Sequence, residues 1–291
     1  MLSDTKRKDR KYQKSAMPLI HDPVALARER QAVDDTPRPV VATITEYPGG
    51  HFVSWHRHAR AQLLYACAGV MTVWTDRGMW VVPPHRAVWV PGGVAHQAKM
   101  SGAVSMRSLY IDPAVRADLP AESCVLTVPP LLRELILHAV TRPRLYDEAG
   151  PDGRIMAVIL DRIRVLPVLP LHLPLPRDRR LLSIAEALMS DPADKTSLED
   201  WGRKAGASSR TLARLFRAEV NMSFRTWRQH ARLLEALRRL AQGQPVTTVA
   251  LDVGFATQSA FIEVFKRVLG QTPGRYFTER QSLLSDSTRD R

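Results

Sequence analysis

Two groups of side chains in this chain have types and spacings that could do chemistry. In the first, Ser209, Arg210, Thr211, Ala213, Arg214 and Arg217 surround the apolar residues Leu212, Leu215 and Phe216. At 3.6 residues per turn the three apolar residues share one face, and the arginines take the other. A guanidinium fork meets O6 and N7 of guanine together, so this face could read base edges. The pattern recurs further on, where Gln258, Ser259, Ile262, Glu263, Lys266 and Arg267 surround Phe261 and Phe265. There Gln258 suits adenine and Glu263 suits cytosine, while Lys266 and Arg267 suit phosphate.

The second group is a run of histidines, Gly50-x5-His56-x-His58-x3-Gln62-x6-Gly69, followed by Pro91-x-Gly93-x2-His96. On a strand His56 and His58 share a face and can converge with His96 from a later strand. Three imidazoles and a carboxamide could hold Zn²⁺, Fe²⁺ or Ni²⁺. The same four residues could instead line a pocket for a small molecule, with Tyr65 and Trp74 beside them. Gln62 is neutral and a poorer ligand than a carboxylate, so the reading without a metal, and with no other cofactor, is preferred. Trp55, Trp80 and Trp89 are further aromatic candidates, for the core more than for the pocket.

Each arginine- or glutamine-bearing face needs an element to present it. Gly206 and Gly254 each end a short amphipathic stretch and precede a Ser/Thr start and a second amphipathic stretch. A small residue, Gly202 or Ala250, stands where the two helices of each pair must approach closely. The glycine-to-anchor distance is six residues from Gly206 to Leu212 and seven from Gly254 to Phe261, so the second turn is one residue longer. This is the pattern of a helix-turn-helix, whose second helix enters the DNA major groove. One such match is weak. Two copies joined by a helix from Ser223 to Leu240, bearing Trp227, Ala231, Leu234, Ala236 and Leu237, are much stronger.

The stretch Ala250-Leu251-Asp252-Val253-Gly254-Phe255, with Phe261, Phe265-Lys266-Arg267 and Gly270-Gln271-Thr272-Pro273, resembles the AraC/XylS family of bacterial transcriptional regulators. The resemblance spans about Arg180 to Phe277. It implies two reading units on one DNA face, in successive major grooves. Trp201 and Gly202 replace the family's usual Leu-Ala, Asn221 stands where Gly is common, and Glu263 where a basic or neutral reader often sits. The histidine spacings are similar to the two motifs of the cupin barrel, with Gln62 at the usual Glu position.

The net charge of +13 is uneven: six Lys/Arg against two Asp/Glu in residues 1–16, 16 against 14 in 17–170, and 20 against 13 in 171–291. Positive charge gathers where the paired motif lies, as a phosphate-binding surface requires. Residues 1–16 are charged and almost without apolar content, and read as a disordered tail; Met17 could be the true start. Short runs at Val40–Thr45, Gln62–Ala66, Val70–Thr75, Met79–Val82, Ala87–Val90 and Val104–Ile111 predict an antiparallel β barrel or sandwich. Helices are expected at Pro129–Val140 and Gly153–Leu166, either packed on the barrel or forming a dimer seam. Pro167, Pro170, Pro174 and Pro176 predict an extended linker.

The expected architecture has two domains: an N-terminal all-β cupin-like barrel with trailing helices over 17–166, and an all-α domain with two helix-turn-helix units over 178–280. The linker is 167–177 and a tail follows at 281–291. No apolar run is long enough to span a membrane. The two cysteines, Cys67 and Cys124, make no disulfide framework, which fits a reducing cytoplasm. The expected function is sequence-specific transcriptional regulation controlled by a small-molecule effector in the barrel. Its partners would be double-stranded DNA, a second copy of the chain in a homodimer, and RNA polymerase if it activates. A metal-dependent cupin enzyme with an accessory DNA-binding domain is the alternative.

Overall fold

The computed structural model describes residues 23–84, 86–115, 118–163 and 171–278. The expected tails at 1–16 and 281–291, and Pro167 and Pro170 of the expected linker, lie outside the described residues. Those residues divide into two compact units, one formed by 23–76 with 82–163, the other by 77–81 with 171–278.

The first unit opens with α1 (Pro23–Asp34), followed by β1 (Val40–Tyr47), β2 (Phe52–His56) and β3 (Ala61–Thr75). After β4 (Gly78–Val82), whose residues 78–81 belong to the second unit, come β5 (Arg86–Val90), β6 (His96–Ile111), β7 (Cys124–Thr127), α2 (Pro130–Ala139) and α3 (Pro151–Arg162). The 16-residue β6 is the spine: β1 pairs along it from Val40↔Ile111 to Tyr47↔Val104, β2 at Phe52↔Lys99, and β3 from Ala61↔Ile111 to Trp74↔Gln97. All these pairs are antiparallel; β5 then pairs with β3, and β7 with β5. No pairing joins β7 back to β1 among the described residues, so the expected barrel is an open sheet. Two bulges, at Ala66/Ala68 and Ala68/Val70, join the two short runs read from the sequence into one 15-residue β3.

Alternation along the strands assigns the two faces. Leu63, Tyr65, Leu109 and Ile111 point to the side covered by α2 and α3, where they form one core with Trp89, Leu126, Leu132, Ile136, Met156 and Ile159. The apolar stripe on α2 is narrower than expected: Leu132, Ile136 and Ala139 are buried, but Leu131 is 53% exposed. On α3, Ile159 is buried while Val158 is exposed. Helix α1 has no sequence signal strong enough to read, since Arg28, Glu29 and Arg30 interrupt its apolar residues.

The second unit contains β8 (His172–Pro174), α4 (Arg179–Ser190), α5 (Leu198–Ala205), α6 (Ser209–Val220), α7 (Phe224–Ala241), α8 (Val246–Asp252), α9 (Gln258–Leu269) and α10 (Pro273–Thr278). The strand β8 corrects the expectation of a free linker over 167–177. It pairs antiparallel with β4 from Gly78↔Pro174 to Trp80↔His172, and Leu171 and Leu173 are fully buried. Proline blocks a helix but not an edge strand, so four prolines do not distinguish a linker from β8. Pro174 also gives its carbonyl to the indole N–H of the fully buried Trp227, at 2.8 Å. The helical unit therefore extends upstream of the expected start at 178. A fragment 171–291 should be more stable to urea than 177–291 by about 1–3 kcal/mol, the cost of leaving that buried indole N–H without an acceptor. Equal midpoints would show that the Pro174 carbonyl does not hold the Trp227 indole once β4 is absent.

Candidate DNA interface and ligand pocket

Both helix pairs are closed by the same backbone device. In the first, Ala207 N–H donates to Gly202 O at 3.0 Å, and in the second Phe255 N–H donates to Ala250 O at 3.0 Å. Gly206 (φ 65°) and Gly254 (φ 85°) supply the left-handed residue that this reversal needs. Gly202 itself is required by space: a Cβ there would stand 2.4 Å from Ala207 O. The second helices start on Ser208, whose Oγ accepts from Thr211 N–H at 3.1 Å, and on Thr257, whose Oγ1 accepts from Ala260 N–H at 3.1 Å. Two residues separate Gly206 from its cap and three separate Gly254 from its cap, which is the longer second turn read from the sequence. Asn221 closes α6 at φ 53°, taking the place of glycine.

On α6, Leu212, Phe216 and Val220 are buried and Leu215 is only half-buried; Val220 takes the third core position expected of Leu215. Ser209, Arg210, Ala213, Arg214 and Arg217 are exposed on the outer face. Thr211 is half-buried, with its hydroxyl 2.9 Å from Ser208 Oγ, so it serves the helix cap. On α9, Phe261, Phe265 and Leu269 are buried, while Gln258, Ser259, Glu263, Lys266 and Arg267 are exposed and Ile262 half-buried. Gln258 is pinned from below by Thr247 Oγ1, which donates to its Oε1 at 2.8 Å. Glu263 and Arg267 form a loose ion pair at 4.0 Å, so Lys266 is the freer cation of this face.

The pocket lies in the first unit, on the sheet face opposite α2 and α3. It is a partly open cavity of about 50 Å³. Thr43, Thr45, Tyr47, Gln62, Leu64, His96 and Tyr110 reach it from the sheet, and Leu26, Glu29, Arg30 and Val33 from α1. Of the residues expected there, His56, Gln62 and His96 line it. His58 is buried behind Gln62, which it touches. Tyr65 is in the core on the other face, and Trp74 does not reach the pocket. The odd separation from Gln62 to Tyr65 already places them on opposite faces of one strand. Trp55 is 52% exposed, and Trp80 belongs to the second unit, where it stacks on His172. Trp89 is a core residue whose indole donates to Pro120 O at 2.8 Å. The α1 contribution was not read from the sequence, and the Leu26–Val33 spacing of seven is its only signal.

The imidazoles of His56, His58 and His96 each offer a ligand atom within 4.8 Å of the others. Each one also has Nδ1 beside a backbone carbonyl: His56 at 2.8 Å from Ser54 O, His58 at 2.6 Å from Arg60 O, His96 at 3.0 Å from Val94 O. Burial, aided by the nearby Arg30 cation, lowers the His56 pKa to about 4. Burial and the neighbouring His56 lower that of His96 to about 3. Neutral rings that donate from Nδ1 keep a lone pair on Nε2. The Nε2 atoms of His58 and His96 lie 3.0 and 3.2 Å from one end of the Gln62 carboxamide, and the other end lies 3.1 Å from Ser108 Oγ. The carboxamide oxygen is the end beside the two rings, and its NH₂ donates to Ser108 Oγ.

Fold and sites together define a two-unit regulator, with an internal pocket in one unit and paired DNA-reading helices in the other. Two family models match: the AraC-like ligand binding domain over residues 38–200 and the helix-turn-helix domain over 201–279. The chain is 35% identical to the HTH-type transcriptional regulator NimR of Escherichia coli over 234 residues, covering 80% of this chain and 85% of that one. It is 40% identical over 105 residues to the HTH-type transcriptional regulator RipA of Corynebacterium glutamicum, covering 36% and 32% of the two chains. Among solved structures, ToxT from Vibrio cholerae aligns over 84% of this chain and 100% of its own, at 10% identity and a TM-score of 0.37. The chain belongs to the AraC family of transcriptional regulators, with an N-terminal ligand-binding domain and a C-terminal helix-turn-helix domain.

Two predictions come from these sites. Arg210→Ala and Arg214→Ala should each weaken binding to a selected operator by about 1–3 kcal/mol and relax base preference, whereas Lys266→Ala should weaken all duplexes alike and lower the salt slope. Unchanged preference in both arginine variants would remove α6 from the reading surface. The second concerns pH: folded-state pKa values of about 4 and 3 lie below the unfolded value of about 6.5, so the unfolded chain takes up protons first. The histidine contribution is complete above about pH 6.5 and is lost as pH falls towards 4 and then 3. Thermal melts across that range should show a shallower loss in His96→Gln than in the parent; equal slopes would mean the rings are not buried neutral.

Proposed function

We propose that a small molecule entering the pocket changes the affinity or activity of the paired reading helices at a specific promoter. The observation that carries this is the preformed pocket, with its polar cluster and its α1 wall, in a chain whose other unit exposes Arg210, Arg214, Arg217 and Lys266. Differential contact of the ligand with two states of the chain would supply the coupling. The setting is the bacterial cytoplasm, with RNA polymerase as partner where the protein activates. The exposed Leu131 and Val158, beside half-buried Leu135 and Ile155, support homodimerisation through α2 and α3.

The histidine cluster is read as pocket lining, with no resident metal. A divalent ion there would have no anionic ligand from His56, His58, His96 or Gln62, and it would sit within Coulombic reach of Arg30. The enzyme alternative depends on a committed metal with a carboxylate ligand, and this donor set does not fit it.

Binding-site selection on random duplexes, with and without candidate ligands, tests the regulatory reading; it should yield one two-part operator whose affinity a ligand shifts. A chain that binds every duplex equally would overturn it. Elemental analysis of protein purified without chelators should find metal far below one per chain. Near-stoichiometric Zn, Fe or Ni that disappears in the His56→Ala, His96→Ala double variant would overturn the metal-free reading.

A further inference from the structure

We propose that the pocket takes a small organic monoanion, a carboxylate carried on an apolar body, and that Arg30 is the residue that pairs its charge. The proposal rests on reading the pocket as the effector site and adds the chemical class of the effector.

Arg30 lines the pocket from α1 and is half-buried, with its pKa lowered by that burial. A guanidinium held out of water needs a counter-charge or a set of carbonyl acceptors. Among the described residues no carboxylate pairs with it, and the two acidic residues of the same helix near it are engaged elsewhere. Glu29 is held by Arg144. Asp34 accepts the backbone N–H groups of Ala59 at 3.1 Å and Arg60 at 3.4 Å. Of the two charged side chains that line the pocket, Glu29 is thus ion-paired and Arg30 has no carboxylate partner among the described residues.

The groups around Arg30 suit the same ligand. Tyr47 and Tyr110 also line the pocket, and burial raises both phenol pKa values, so their hydroxyls stay protonated and can donate. His56 and His96 are neutral and add no negative charge that could satisfy the guanidinium. The remaining wall is apolar, with Leu26, Val33, Val53, Leu64, Met100 and Met106. A neutral ligand would leave the guanidinium unpaired and a cation would oppose it, whereas a carboxylate can accept both arms of the fork.

The test uses the full chain and a panel of straight-chain acids from butanoate to decanoate, with phenylacetate, each compared with its primary amide. At least one acid should raise the thermal midpoint while its amide does not. Titration calorimetry with that acid should show Arg30→Gln weakening binding tenfold or more, and Arg30→Lys falling between. An amide that binds as well as its acid, a panel in which no acid binds, or undiminished binding in Arg30→Gln would each overturn the proposal. If Arg30→Gln does not fold, the acid-against-amide comparison in the parent chain decides. Operator binding measured in parallel separates the two readings: an acid that binds through Arg30 without moving operator affinity or transcription leaves the site standing and sinks the effector role.

Discussion

The guanidinium of Arg232 holds the two reading units to each other. It lies on α7 and donates from Nε to Pro192 O at 2.8 Å, from Nη2 to Asp194 O at 3.2 Å and from Nη1 to Gly254 O at 3.0 Å. The first two carbonyls belong to the loop leading into α5, and the third to the turn leading into α9. One planar fork thus ties the start of the first helix pair to the turn of the second. Arg228, one turn earlier, adds Thr196 O at 3.1 Å and a second bond to Asp194 O. Arginine suits this role because its five donors are fixed in one plane and it keeps its charge even where burial lowers its pKa.

Around that tie α7 acts as the shared wall. Trp227, Ala231 and Leu234 form one buried row, and Leu233, Ala236, Leu237 and Leu240 another, so the helix serves partners on two sides. It touches α4, α6, α8, α10 and β8. The reading faces of α6 and α9 can then remain free of internal partners, because their inner faces are held by Leu212 and Phe216 and by Phe261 and Phe265. The two faces differ in character. That of α6 carries three exposed arginines, while that of α9 mixes a pinned amide, an ion pair and one freer lysine.

In the other unit a single sheet separates a dry core from a polar pocket. Odd-numbered residues of β3 near its start enter the core with Trp89 and α3, and even-numbered ones, Gln62 and Leu64, enter the pocket. Polar groups on the pocket side are largely satisfied at short range, the histidines by backbone carbonyls two residues away and Gln62 by two rings and Ser108. Arg30 is the exception, and it comes from α1, outside the sheet.

Most of the second unit was legible in the sequence because its determinants are local. Helix caps at Ser197, Ser208, Ser223 and Thr257, left-handed residues at Gly206, Asn221 and Gly254, and 3.6-residue apolar spacing all act within a few residues. The repeat marks them as two copies of one device, and the six-against-seven offset of their turns is a property of the sequence itself. The histidine and glutamine cluster was legible for the same reason, since alternation on a strand places His56 and His58 on one face.

Tertiary structure decided what depends on pairing between distant segments. Whether the sheet closes is set by hydrogen bonds between strands, and period-two patterning is the same for an open and a closed sheet. Tyr65 was excluded from the pocket by its odd spacing from Gln62, whereas Trp74 lies beyond two bulges of β3, whose shifts in register only the pairing with β6 reveals. The prolines of 167–177 forbid a helix, but only the presence of β4 turns residues 172–174 into a strand. Helix α1, weakly patterned on its own, buries Val33 and half-buries Leu26 at the pocket, where Arg30 joins the lining. The sequence by itself determined the helices of the second unit and their exposed faces, because those follow from neighbours along the chain; the pocket and the arginine that lines it came from neighbours in space.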